Sequence, residues 1–169
     1  MRSPRSGNPV YAEQVRSSYA HLPLTLSVSV LNSILLGLVL TSVASELTIL
    51  SWISLVFGLS IVRWALWYSH RYLDIGPDYN PWWTRLAVVG ALLSGILWGL
   101  GPFIFFSLDE SHLLFLALVI SGMCAGAATV HAAHFPSVVA FIVPAILPLT
   151  VNFFVQGNRL QVVSGALSK

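Results

Sequence analysis

The chain has 169 residues, of which 56% are hydrophobic and only 8% charged, and its formal net charge is +2. Soluble domains carry roughly 25% charged residues, so this composition offers too little polar surface to keep the protein in water. Its eight Lys and Arg residues form no run and no cluster among aromatics, which excludes a nucleic-acid surface.

Residues 1–21 hold Arg2, Arg5, Glu13 and Arg16 and lack a short apolar core, so they do not read as a secretory signal peptide. Residues 22–155 carry five apolar stretches, at about 22–43, 47–68, 85–107, 112–130 and 137–155. Each is close to the roughly 20 residues a helix needs to cross a bilayer. The joints at Glu46, at Asp109-Glu110 and at 131–136 are short enough to make neighbouring helices antiparallel. The longer joint, 69–84, contains Asp74, Gly76, Pro77, Asp78 and Pro81 and reads as a loop. Residues 156–169 read as a turn, Gln156-Gly157-Asn158-Arg159, followed by the truncated apolar start of a sixth helix. The fold expected is all-α: a polytopic transmembrane helix bundle with five spans plus the start of a sixth.

The few charges orient the bundle. Arg2, Arg5 and Arg16 precede the first span, and Arg63, Arg71 and Arg85 flank the long loop, whereas the opposite joints carry Glu46, Asp109 and Glu110 and only one basic residue, Arg159. Basic residues accumulate on the cytoplasmic side. Trp64, Trp67, Tyr68, Tyr72, Trp82 and Trp83 gather at the same edge as an aromatic belt. The N-terminus and the long loop are therefore expected to be cytoplasmic and the 156–159 turn external.

Small residues mark the helix contacts. Gly95 and Gly99 form one GxxxG, and Gly122 and Gly126 form another. Such faces let membrane helices approach, inside one bundle or between two copies of a chain. A homodimer is the sharper expectation; packing within the bundle is the plainer one. Pro102, Pro144 and Pro148 interrupt the spans and are expected to kink them.

Polar groups at membrane depth are candidate contacts for a signal: Asn32, Arg63 and Asn152, with Thr129 and Ser94 beside them. Arg63 is placed to snorkel to the interface. His131 and His134 are three apart and could share a helix face, a spacing that permits metal ligation if a third ligand arrives. Without one they are interfacial histidines, and no metal or other cofactor is expected. The single cysteine, Cys124, excludes an internal disulfide and reads as a small core residue. Phosphate-binding loops, nucleophile elbows and HExxH are absent from the sequence, so the chain is not expected to be an enzyme.

One family pattern covers nearly the whole chain. Glu13-Gln14-Val15-Arg16, Tyr19 and Leu22-Pro23-Leu24 open it, and Arg63 and Trp67 follow. Gly95-Ile96-Leu97-Trp98-Gly99, Gly122-Met123-Cys124-Ala125-Gly126, Pro136, Phe141, Pro144 and Pro148 continue it. These residues resemble the N-terminal multi-helix membrane sensor region of bacterial diguanylate cyclases (GGDEF proteins) and of sensor or hybrid histidine kinases. The resemblance implies a cytoplasmic N-terminal segment, about six helices and a cytoplasmic effector. The sequence holds no GGDEF motif and no kinase box.

The function expected is a membrane-embedded sensory or regulatory input module whose effector lies outside this chain. Its partners would be the lipid bilayer, a second copy and a small hydrophobic ligand. The alternative is a small integral-membrane transporter or channel subunit.

Overall fold

A computed structural model of the chain describes residues 19–73, 81–105, 110–130, 132 and 134–167. Every regular element among them is a helix: α1 (Leu22–Leu40), α2 (Glu46–Leu73), α3 (Pro81–Gly99), α4 (Gly101–Ile104), α5 (Glu110–Val130) and α6 (Phe135–Leu167). Five stretches are long and apolar enough to cross a membrane: Leu22–Leu40, Glu46–Tyr72, Trp82–Ile104, Ser111–Val130 and Phe135–Phe154. The chain is a multi-pass membrane protein.

Local chemistry sets the helix starts. Pro23 stands in the first turn of α1, where its missing N–H would have no partner anyway. Ser45 accepts the Thr48 N–H at 3.2 Å and caps α2, with Glu46 beside the positive end of the helix dipole. Pro81 opens α3 four residues earlier than the sequence pattern suggested, and α2 persists to Leu73, so both helices reach into the expected 69–84 loop.

Polarity, more than size, distinguishes the inside from the outside. The inner stripe of α1 is Leu22, Leu26, Ser29, Ser33, Leu36 and Leu40, and that of α6 is Ser137, Phe141, Ala145, Leu149 and Asn152. Leu31, Leu38, Leu55, Leu118 and Phe154 face outward. Lipid supplies no hydrophobic drive between helices, so buried serines and Asn152 join the inner stripes while Leu and Phe serve on both faces. The inner core centres on Trp52, whose ring meets Trp98 and Phe105 edge to face at centroid distances of 5.1 and 5.8 Å.

The prolines act differently from one another. Pro102 interrupts the third span, separating α3 from the short α4 at Leu100. The Trp52 indole donates to the Leu97 carbonyl at 3.2 Å, next to this break. Pro144 and Pro148 lie inside α6, which runs on through both. Pro148 has no N–H to give the Pro144 carbonyl four residues back. That carbonyl is turned onto Gly99, as the Phe141 carbonyl is onto Gly95, with no room for a Cβ at either glycine. The first GxxxG is therefore consumed inside the bundle, where α3 packs against α6 more extensively than any other pair.

The turn expected at 156–159 is not there. α6 continues as one helix of 33 residues, about 50 Å long against roughly 30 Å of hydrocarbon. A lone Gly157 costs a helix only about 1 kcal/mol and no proline follows to stop it. No sixth span is present among the described residues.

Gly99→Ala drives a Cβ onto the Pro144 carbonyl and should destabilise the bundle by about 1–3 kcal/mol. Gly122→Ala meets nothing within 4 Å and should gain up to ~1 kcal/mol of helix propensity. Reversible unfolding in mixed micelles reads both, and equal effects would refute the close approach at Gly99.

Candidate functional site

Away from its ends, α2 carries one charge, Arg63, ten residues from Leu73 and hence about 15 Å along the helix from that end. The residue does not snorkel. It is 7% exposed and points into the bundle. Its Nη1 donates to Ser94 Oγ at 2.8 Å, and Ser94 Oγ donates in turn to the Gly90 carbonyl at 2.9 Å. The side chain lies across Gly90, where a Cβ would stand 3.1 Å from Arg63 Nε. Gly90, Ala91 and Ser94 thus form a low shelf on α3 that admits the guanidinium. A taller residue at position 90 would push it off.

Beside this shelf is a cavity of about 30 Å³. Thr25 and Ser29 of α1, Arg63 of α2, Ser94 of α3, Met123 of α5 and Phe141 of α6 line it, so all five spans contribute. Ser29 Oγ accepts the Trp98 indole N–H at 3.1 Å. Ser29 did not stand out in the sequence, because a serine on a helix becomes informative only once its face is known.

The other polar candidates are scattered. Asn152 Nδ2 donates to the Pro102 carbonyl at 3.4 Å, near the opposite end of the bundle. Asn32 is half-buried on α1, and Thr129 is exposed and bonded to the Gly126 carbonyl. Gly122 and Gly126 face outward with open space over both, so the two small-residue faces part company: one packs within the chain and the other does not.

His134 lies beyond the end of α5, in the connector before α6, so it does not extend the α5 face as expected. It is buried, its Nδ1 pairs with Ser137 Oγ at 2.8 Å, and its carbonyl accepts the Ser137 N–H at 3.0 Å. It tethers the entry of α6. Burial pushes its pKa below the ordinary histidine range. His131 lies outside the described residues, and no group of three metal-ligating side chains occurs among those described.

No family model, curated protein or solved structure matches this chain. The candidate site therefore rests on its own geometry.

A second cluster closes the end of the bundle nearest Arg63. Tyr19 stacks on His70 at 4.3 Å between ring centroids, meets Trp83 edge-on and donates its hydroxyl to the Trp83 carbonyl at 3.0 Å. Outside it, Trp64, Tyr68, Tyr72 and Trp82 are exposed, and the Arg71 guanidinium sits 5.7 Å from the centre of the Trp67 ring. The belt read from the sequence is thus part outer girdle and part inner seal.

Burial pushes the Tyr19 phenol up to about 12. A pKa raised on folding contributes stability at lower pH that is lost as pH climbs from about 10 to 12. Among the five tyrosines, Tyr19 should ionise late, so Tyr19→Phe should remove the last step of a tyrosinate absorbance titration. Identical titration curves would show that the phenol is open to solvent.

Proposed function

We propose that the chain is the membrane-embedded sensory or regulatory input module of a bacterial signal-transduction protein, of the kind that serves cyclic-di-GMP synthesis or two-component signalling. One observation carries the reading: a small, largely apolar cavity that holds a buried cation and is touched by all five spans. A ligand there contacts every helix at once. Its binding free energy can then favour one arrangement of the bundle over another, as a signal must. Close contact of α3 with α6 at Gly95 and Gly99 is the joint through which such a change would travel. The resemblance to sensor regions agrees with this reading.

A transporter needs a polar path. Arg63, Asn32, Thr129 and Asn152, the polar material for one, stand at different depths and on different faces, which favours the sensory reading over the alternative.

The module sits in the inner membrane with its N-terminus in the cytoplasm, on the distribution of basic residues and the aromatic belt. In a Cys124→Ala background, Ser45→Cys should label with an impermeant maleimide in intact cells, and Ala132→Cys only after lysis. The opposite pattern would invert the orientation.

Arg63→Met tests the function. Replacing a buried charge by an apolar side chain of similar volume is often neutral or stabilising, so this variant should fold. Spin labels at Val28 and Val143, both facing outward, should report two separations in lipid vesicles for the parent chain and one for Arg63→Met. The same distribution in both would overturn the reading. Solute uptake by parent vesicles, lost in Arg63→Met, would replace it with the transporter.

A further inference from the structure

Arg63 presents a charge problem that its neighbours do not solve. Its acceptor, Ser94, is a neutral hydroxyl, and a guanidinium has five N–H donors to satisfy. The nearest carboxylate along α2 is Glu46, 17 residues away and so about 25 Å distant, and α1, α3 and α6 contain no Asp or Glu. Tyr19, the acidic side chain described at this end, is held neutral by its burial. Among the described residues Arg63 has no counter-charge, and a buried charge left so is costly, the more so within hydrocarbon. Water filling the cavity would accept N–H bonds and leave the charge uncompensated.

A second side chain points the same way. Ser29 is 9% exposed and lines the cavity. Its oxygen is occupied by the Trp98 indole, while its own proton has no acceptor among the described residues. The cavity therefore offers a fixed cation and a hydroxyl donor, with Met123 and Phe141 as apolar walls. At about 30 Å³ it exceeds the roughly 10–15 Å³ that one water requires, but is too small for sulfate, phosphate or an organic acid enclosed whole.

We propose that this cavity binds one halide-sized monovalent anion, held by the Arg63 guanidinium and the Ser29 hydroxyl. The assignment rests on the reading of the cavity as the signal site and names the chemical class of its ligand. The anion neutralises Arg63 and accepts the Ser29 proton. Its presence or absence changes the charge at the point where the five spans meet.

The test uses the full chain in lipid nanodiscs, melted in sodium chloride, sodium bromide, sodium gluconate and sodium octanoate at equal ionic strength. Chloride and bromide should raise the melting temperature by roughly 5 °C over gluconate, by preferential binding to the folded state. Arg63→Met should melt at one temperature in all four salts. Ser29→Ala, which keeps the cation, should retain the halide shift with about ten-fold weaker apparent affinity. A parent chain indifferent to the salt overturns the proposal, as does an undiminished halide shift in Arg63→Met. Stabilisation by octanoate but not bromide also overturns it, since the ligand would then be a carboxylate reaching in from the lipid. A missing halide shift alongside an Arg63-dependent Val28–Val143 separation removes the anion and keeps the sensory reading. A halide shift with one unchanging separation removes the sensory reading and keeps the anion.

Discussion

The bundle depends on how a carbonyl without a donor is accommodated in hydrocarbon. Pro148 leaves the Pro144 carbonyl without its intrahelical partner, and no water is at hand inside a membrane to replace it. The structure turns that carbonyl onto Gly99, whose lack of a side chain lets the two backbones meet. A Cα–H contact with a carbonyl is weak, but in an apolar medium it is better than nothing. The same approach occurs one turn away, between Gly95 and the Phe141 carbonyl. These two contacts fix α3 against α6, and with it the positions of Ser94 and Phe141 in the cavity wall.

The pairing of Pro148 with Gly99 also helps explain why α6 is not broken there. Pro148 removes one bond from the helix ladder, yet the helix continues and the freed Pro144 carbonyl lies against Gly99. Pro102 has no such arrangement near it. It follows Gly99 and Gly101, two residues with the least commitment to a helix, and the span breaks there instead. The Trp52 indole then serves the carbonyl of Leu97. Identical chemistry at three prolines thus gives one break and two tolerated positions, decided by the residues around each.

Hydropathy carried most of the architecture. The number of apolar spans and their antiparallel order were legible because hydrocarbon thickness sets a length and short joints set direction. Rotation of each helix about its axis was not. Leu faces lipid and core with equal ease, so the apolar pattern of α5 does not reveal that Gly122 and Gly126 point out while Met123 and Cys124 point in. For the same reason the two GxxxG motifs looked alike. Arg63 was visible as a charge in an apolar run, but its direction was misread, since snorkelling and burial begin from the same sequence. What decides between them is Gly90 on α3, 27 residues away, and nothing in a single chain links the two positions. The end of α6 was misjudged for a local reason: Gly157 resembles a stop signal, and one glycine is too small a penalty to end a helix of this length.

Arg63 is best understood by what would stand there if stability alone mattered. A Met or Leu on the Gly90–Ser94 shelf would bury as much surface, need no acceptor and carry no desolvation cost. Ser29 would be an alanine, and Trp98 a residue with no N–H to place. Instead three spans each contribute a polar group to one small volume, and the helix that receives the guanidinium has been cut down to Gly, Ala and Ser to admit it. Removing one group alone strands another: without Ser94 the guanidinium loses its acceptor, and without Ser29 the Trp98 N–H loses its own. The groups therefore stand together as one polar network where the five spans meet.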